Sequence, residues 1–152
     1  MLVAIFGNSL HAQGVKRDSV PGFRIALTDS SYFKKSDLKR EVPVMLIYFS
    51  PDCEHCNNFF REIISDYEKF KKIQIVMISN HAIPELKEFE NRYQVRKYRN
   101  IKIGTEGRTF QIQRYYQITR FPFVALFDGN GGSIAVYRDI PPIGTICQAL
   151  KL

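Results

Sequence analysis

Two cysteines separated by two residues, Cys53 and Cys56, are the residues of this 152-residue sequence best suited to chemistry. They follow the continuous apolar run 44–49, which has the length of a β-strand buried on both faces. From Cys56 to Phe70, apolar residues recur at helical spacing and polar residues fill the opposite side. The pattern therefore places the pair where a buried strand turns into an amphipathic helix.

A thiol at the start of a helix faces unpaired backbone N–H groups and the positive end of the helix dipole, and both favour the thiolate. Cys53, the first and more exposed sulfur, is therefore predicted to be the nucleophile. Cys56, one turn into the helix, is placed to resolve a mixed disulfide from inside the protein. Of the residues between them, His55 as a cation stabilises the thiolate and Glu54 as an anion opposes it. The motif thus leaves the redox potential open.

Metal binding and a purely structural disulfide are the alternatives to redox exchange. A zinc site needs four ligands, and no second Cys or His pair lies at suitable spacing. A copper site formed by Cys53, Cys56 and the distant His81 is a minor alternative. A structural disulfide across so short a loop constrains little of the unfolded chain. The sequence favours thiol–disulfide exchange with no metal and no organic cofactor.

The rest of the sequence predicts the elements that position the pair. Strands are predicted over residues 23–28, 44–49, 73–78, 123–127 and 133–137. Helices are predicted over residues 36–41 with Ser36 as cap, from the cysteines to about Lys72, from Pro84 to Tyr93, over 110–118 and over 143–150. We read residues 99–110 as a loop, the first strand as an edge strand, and Cys147 in the last helix as a core residue.

This alternation of strands and helices, ending in a hairpin, predicts an α/β fold with a central mixed sheet and helices on both faces. The length fits one domain. No apolar run is long enough to cross a bilayer as part of a mature chain. The net charge is +7, and residues 92–120 hold eight Lys or Arg against one Glu. A basic face can steer an acidic partner, but no nucleic-acid module accompanies it, and a solvated surface is the simpler interpretation.

Residues 1–12 have a short apolar core and a polar break before Ala12, which is typical of the end of a secretory signal peptide. There is no basic segment before the apolar core, and Leu10 is large for the position three residues before the cleavage site. A first β-strand is the alternative. Residues 13–22 are predicted to be a linker and 23–152 the folded domain. Export would place a dithiol in an oxidising compartment, where it needs an upstream redox partner.

The sequence resembles the thioredoxin-like superfamily and, within it, the exported thiol–disulfide oxidoreductases of the TlpA/ResA type. The resemblance extends over about residues 23–152 and rests on FSPDCEHC at 49–56, YQITRFP at 116–122 and DGNGG at 128–132. It implies a thioredoxin fold, with Cys53 as the attacking and Cys56 as the resolving cysteine. It also implies a cis peptide bond before Pro122, beside the dithiol, and a Phe121 backbone that receives an incoming polypeptide in strand-like fashion.

The sequence departs from thioredoxin itself at several positions. Thioredoxin has a buried acid six residues before its first cysteine, where this chain has Ile47, so water, Glu54 or His55 is left as the proton acceptor for Cys56. Asp52 replaces a Trp, and Phe123 follows the proline where many relatives have Thr.

These departures favour an envelope relative over a cytosolic thioredoxin. The resulting hypothesis is a monomeric oxidoreductase of the periplasm or cell envelope that exchanges protein thiols and disulfides. A non-catalytic thioredoxin-like binding module with a basic face is the alternative.

Overall fold

The two most apolar runs of the sequence form neighbouring parallel strands at the centre of a mixed sheet. The computed structural model describes residues 18–152. In it, β3 (Val44–Tyr48) pairs in parallel with β4 (Gln74–Ser79), and Tyr48 lies opposite Ile78. All five residues of β3 are buried, as expected for a strand covered on both faces. The predicted signal peptide 1–12 and the first five residues of the predicted linker lie outside the described residues.

The strand order in the sheet is β2-β1-β5-β4-β3-β6-β7. The remaining strands are β1 (Arg24–Leu27), β2 (Tyr32–Lys34), β5 (Ile101–Thr105), β6 (Phe123–Phe127) and β7 (Ser133–Tyr137). β6 is antiparallel to β3 and forms a hairpin with β7, as the DGNGG turn predicts.

Two sequence-based assignments in this sheet are wrong. Residues 99–110 are not all loop, because β5 lies within them and pairs in parallel with β4. Ile101 and Ile103 occupy alternate positions of β5 and are buried. The charged residues and the glycine around them interrupt the apolar pattern, so the sequence does not indicate so short a strand. β1 is not an edge strand, since β2 pairs with it on the outer side.

Between residues 18 and 152, five α-helices accompany the sheet. They are α1 (Glu54–Ser65), α2 (Tyr67–Phe70), α3 (Ile83–Arg92), α4 (Gln111–Tyr116) and α5 (Ile143–Leu150). The single helix predicted from the cysteines to Lys72 is broken at Asp66, where the backbone leaves the helical region. The short helix predicted over 36–41 is a 3-10 turn at Lys35–Asp37, with Lys34 rather than Ser36 at its cap position.

Two apolar layers lie on opposite faces of the sheet. On one face, Met45 and Ile47 of β3 pack in a cluster with residues of α1, α3 and α5; Cys147 is a partly buried member of this cluster, as predicted. On the other face, Leu46 and Tyr48 pack with Ile112 of α4. Successive residues of a strand point to opposite faces, so one buried strand contributes to both layers. Helices therefore cover both faces, and the predicted α/β thioredoxin fold is confirmed.

The described end of the predicted linker contacts the turn between β6 and β7. The Val20 N–H donates to the Gly131 carbonyl at 3.0 Å, and the Ser133 N–H donates to the Asp18 carbonyl at 2.8 Å. The Val20 side chain is buried in the layer that contains Leu46. These contacts fix residues 18–20 against the sheet.

Candidate functional site

The turn between β3 and α1 brings the two cysteines together. Cys53 is the N-cap residue of α1, and its sulfur accepts a hydrogen bond from the Cys56 N–H at 3.4 Å. The first N–H groups of a helix have no partner inside the helix, so a thiol at this position satisfies one of them. The same contact favours negative charge on the Cys53 sulfur, because an N–H group points at it. Both cysteines are free thiols.

The two sulfurs differ in exposure and in chemistry. Cys53 is partly exposed, whereas Cys56 is 2% exposed. Burial raises the pKa of the Cys56 thiol well above its usual range, and a hydrogen bond with Cys53 adds to this effect. The Ser50 backbone donates a hydrogen bond to the Cys56 sulfur, which opposes the shift only in part. Cys56 therefore holds its proton at neutral pH, and the outer sulfur is the accessible one.

The loop before β6 closes over Cys53. The Phe121–Pro122 peptide bond is cis. The Cys53 thiol lies 3.7 Å from the Phe121 carbonyl oxygen, and the Phe121 ring stacks on that of Tyr48 with centroids 5.8 Å apart. Pro122 is buried and Phe121 partly exposed. The structure thus brings together the dithiol and the two residues that the sequence suggested for substrate binding.

Tyr48, whose ring stacks on Phe121, is hydrogen-bonded to a buried carboxylate that the sequence analysis did not identify. Its hydroxyl donates to Glu106 Oε1 at 2.7 Å, and the Ile112 N–H donates to Glu106 Oε2 at 2.8 Å. Glu106 is 7% exposed. Burial, and then the hydrogen bond to Glu106, raise the pKa of Tyr48 far above its usual range, so the phenol stays protonated. Nothing in the local sequence relates Glu106 to Tyr48, because 58 residues separate them.

A buried asparagine holds the turn that contains the cysteines. The Asn57 side-chain amide donates to the carbonyl oxygens of Pro51 at 3.0 Å and Cys53 at 2.8 Å. Its own oxygen accepts a hydrogen bond from the Tyr93 hydroxyl at 2.6 Å. Helical spacing assigned Asn57 to the polar face of α1, but it is 8% exposed. Periodicity missed it because Tyr93, from the end of α3, covers this part of the helix.

Glu54 and His55 are both exposed, so they flank the thiols from the solvent side. His81 lies in the loop between β4 and α3. Its Nε2 lies 3.1 Å from Ser50 Oγ, and its Nδ1 lies 3.0 Å from Glu85 Oε1. No local sequence pattern indicates that His81 contacts the turn after β3, because the two loops meet only when β3 and β4 pair.

Within residues 18–152, one group of side chains has the composition of a metal site. Asp52, His81 and Glu85 each place one ligand atom within 4.8 Å of the others. Hydrogen bonds already occupy both His81 ring nitrogens, and the second Glu85 oxygen accepts the Ala82 N–H at 2.9 Å. We therefore assign this group to hydrogen bonding rather than to metal binding. It also differs from the copper ligand set considered above, since it contains no cysteine.

Comparison with known proteins agrees with the resemblance found in the sequence. The sequence model of a family described as thioredoxin-like matches residues 41–134, which include the dithiol turn and Pro122. A curated relative, the methylamine utilization protein MauD of Paracoccus versutus, is 30% identical over 91 residues. That match covers 60% of this chain and 43% of MauD, so the chain matches less than half of the length of this relative.

Solved structures share the fold at low sequence identity. The exposed lipoprotein thioredoxin Etrx1 of Streptococcus pneumoniae has a TM-score of 0.66 and 16% identity, over 86% of this chain and 98% of its own. A secreted Mycobacterium tuberculosis disulfide oxidoreductase, homologous to Escherichia coli DsbE, has a TM-score of 0.68 and 15% identity, over 84% of this chain and 92% of its own. At such identity, these neighbours establish the fold alone.

The Asn57 contacts predict a pH-dependent loss of stability on replacement of that residue by aspartate. In Asn57→Asp, a carboxyl group of the same shape faces two carbonyl oxygens, so its ionised form loses both donors and is repelled. We expect a destabilisation of about 2 kcal/mol or more at pH 7. The penalty should shrink below about pH 5, because the protonated carboxyl can donate one hydrogen bond. Urea denaturation at both pH values measures it.

Asn58→Asp is the matched control, because Asn58 is the exposed neighbour and its side-chain oxygen accepts from Arg61. A charge there keeps this contact, so its stability should stay within about 0.5 kcal/mol of the parent. Equal stability of the two variants at pH 7 would mean that Asn57 does not hold the turn.

Proposed function

This chain belongs to the thioredoxin-like family, and we propose that it is a thiol–disulfide oxidoreductase that acts on protein thiols and disulfides through Cys53 and Cys56. The observation that carries this proposal is the asymmetry of the pair. An accessible sulfur receives an N–H hydrogen bond at a helix start, and a buried, protonated sulfur lies one turn behind it. That arrangement suits attack by the first sulfur and resolution by the second.

In the proposed reaction, the Cys53 thiolate attacks one sulfur of a substrate disulfide, and the other substrate sulfur leaves as a thiolate. The product is a mixed disulfide between Cys53 and the substrate. Cys56 then loses its proton and attacks the Cys53 sulfur. The Cys53–Cys56 disulfide forms, and the second substrate thiolate leaves. The substrate gains two electrons and the protein loses two; the reverse sequence oxidises a dithiol.

The loop that contains Phe121 and Pro122 supplies the proposed binding surface for a polypeptide. The Phe121 carbonyl lies beside the Cys53 thiol, so an extended segment that pairs with this backbone would present its sulfur to Cys53. Backbone pairing of this kind places few demands on the side chains of the substrate. The proposal includes no metal and no organic cofactor.

We place this reaction in the periplasm or cell envelope. Residues 1–12 carry the signal-like pattern, and two structural neighbours are described as an exposed lipoprotein and a secreted protein. Between residues 18 and 152, no helix has the length and apolar character needed to cross a membrane. An exported dithiol needs an upstream redox partner, because the compartment is oxidising.

Export predicts that the mature native protein begins near Gln13 and fractionates with the envelope. N-terminal sequencing of the purified native protein measures the first residue. An intact Met1 in a cytosolic fraction would contradict the proposed compartment while leaving the proposed chemistry untouched.

A non-catalytic binding module is the second candidate function. The eight basic residues between positions 92 and 120 are all exposed, so their charge is available to an acidic partner. Such a module has no need of a reactive thiol at the helix start. Rapid alkylation of Cys53 at neutral pH favours the oxidoreductase over this candidate.

Serine substitutions should separate the two chemical steps. Cys53→Ser should abolish reduction of a disulfide-bonded test protein by a dithiol donor, because the attacking sulfur is lost. Cys56→Ser should instead accumulate the substrate as a mixed disulfide, because attack is intact and resolution is lost. Non-reducing electrophoresis and mass spectrometry of the trapped species measure both outcomes.

Cys147→Ser is the matched control, since this third thiol belongs to α5 and not to the turn between β3 and α1, and it packs against the core. It should retain parental turnover. Parental activity in Cys53→Ser would contradict the proposed function.

The exposed pair between the cysteines should adjust thiolate formation in opposite directions. We expect His55→Ala to move the pH midpoint of Cys53 alkylation upwards, because a cation near the thiolate is lost, and Glu54→Ala to move it downwards. Each shift should be smaller than about one pH unit and should decrease in high salt, since both side chains are exposed. If neither variant moves the alkylation profile, the start of the helix alone sets thiolate formation.

A further inference from the structure

The parallel strands β3, β4 and β5 give the sheet two ends that differ in charge. All three strands run the same way, so the segments that lead into them meet at one end, and the dithiol turn lies at the other. These segments, residues 35–43, 66–73 and 93–102, hold ten Lys or Arg against four Asp or Glu. The rest of residues 18–152 holds ten basic and eleven acidic residues. The excess positive charge of the described chain therefore lies in these three segments, which we call the basic end.

Most of the charge at the basic end is not neutralised by neighbouring acids. All ten basic side chains are exposed. Within residues 18–152, three of them, Lys69, Lys71 and Arg96, form a salt bridge with an acidic side chain. The other seven form no salt bridge in this part of the chain. Seven uncompensated positive charges therefore face the solvent at one end of the molecule, where they attract a surface of opposite charge.

Two amide side chains hold the three basic segments in fixed positions relative to one another. The Lys39 N–H donates to Gln74 Oε1 at 2.6 Å, and Gln74 Nε2 donates to the Lys39 carbonyl at 3.0 Å, which ties the first segment to the start of β4. The Asn100 amide donates to the carbonyl oxygens of Phe70 and Ile73, both at 2.9 Å, which ties the second segment to the third. The backbone that carries the charges is thus ordered before any partner binds, which lowers the entropic cost of binding.

The described chain also begins at the basic end. β6 is antiparallel to β3, so the turn between β6 and β7 lies at the same end as residues 35–43. The Glu41 N–H donates to the Gly129 carbonyl of this turn at 2.8 Å, and Ser19 forms a β-bridge with Gly132. Residue 18 therefore lies next to the first basic segment. Because the chain is continuous, an N-terminal segment that reaches a membrane brings the basic end towards it.

Building on the proposed location in the envelope, we propose that the basic end docks on the surface of a membrane that contains anionic phospholipids. The lipid phosphates attract the unpaired Lys and Arg side chains. The charges are spread over three segments, which suits an extended surface with many phosphates better than a single acidic peptide. The dithiol follows the opposite end of the five-residue strand β3, roughly 16 Å away, and stays open to protein substrates.

Vesicle flotation with the full chain tests this docking. One set of vesicles contains phosphatidylcholine alone, and the other contains about one third phosphatidylglycerol, which is anionic. Residues 1–12 include an apolar run that can bind either lipid, so the difference between the two sets measures the contribution of charge. We expect binding to be about tenfold tighter or more on the anionic vesicles at about 0.05 M salt, and the difference to vanish at about 0.5 M salt.

Matched triple variants locate the docking surface. The test variant replaces three unpaired cations of the basic end, namely Lys72→Gln, Arg99→Gln and Lys102→Gln. The control variant removes the same charge from exposed positions outside the basic end, namely Arg61→Gln, Lys87→Gln and Arg108→Gln. The test variant should bind anionic vesicles about tenfold more weakly or worse, whereas the control should stay within about threefold of the parent. If the test variant does not fold, Lys35→Gln, Lys39→Gln and Arg40→Gln, combined in a second variant of the first segment, should show the same loss.

The orientation on the vesicle is measured through the dithiol. In the Cys147→Ser background, Cys53 of the vesicle-bound protein should react with the neutral reagent iodoacetamide at the rate measured in solution, because the dithiol faces away from the lipid. Protection of Cys53 by anionic vesicles would show that a different face docks.

Three results would overturn the proposal: equal binding to both sets of vesicles at low salt, equal weakening in the test and control variants, or protection of Cys53. Binding to polyglutamate without any preference for anionic vesicles would assign the basic end to an acidic protein and would overturn it as well. Vesicle binding is measured without a disulfide substrate, so its failure leaves the proposed function standing. A protein that binds the anionic vesicles but does not reduce a disulfide in solution would fail only in the proposed function.

Discussion

The site depends on how the turn from β3 into α1 satisfies its backbone polar groups. A strand buried on both faces ends, and a helix begins a few residues later, so carbonyl and N–H groups without secondary-structure partners lie next to the core. Three residues supply hydrogen-bond partners for these groups. The Cys53 sulfur accepts a helix N–H, the Asn57 side chain donates to two carbonyl oxygens, and the Ser50 carbonyl accepts the Cys53 N–H. Because one of these partners is a sulfur, the same contacts that stabilise the turn also prepare it for exchange chemistry.

Strand pairing then decides which other residues reach the turn. β3 and β4 run in parallel with Tyr48 opposite Ile78, so the residues just after both strands emerge at the same edge of the sheet. This places Ser50 beside His81, although 31 residues separate them. β6 runs the opposite way and begins at that edge, so the Phe121–Pro122 loop arrives from the other side. The dithiol thus lies between the polar loop that contains His81 and the backbone of the Phe121–Pro122 loop.

Much of the fold follows from periodicity. The apolar runs of β3, β4 and β6, the Gly-rich hairpin turn and the apolar stripe of α5 each identify their element, because burial on one or two faces imposes a repeat on the sequence. β5 was missed, and the break at Asp66 was not foreseen. Both are short features that neighbouring elements stabilise, and local patterns carry little information about pairing with a distant strand.

The sequence by itself determined the chemistry that is available: two cysteines at a strand–helix junction, a proline before an apolar strand, and no acid at Ile47. Only the tertiary structure decided which groups surround that chemistry. Asn57 is buried because Tyr93, at the end of α3, covers it. Glu106 accepts hydrogen bonds from Tyr48 and from the Ile112 N–H of α4, which packs on the opposite face of the sheet. Hydrogen-bond partners so far apart in the chain leave no periodic trace in the sequence, since each contact depends on how whole elements pack.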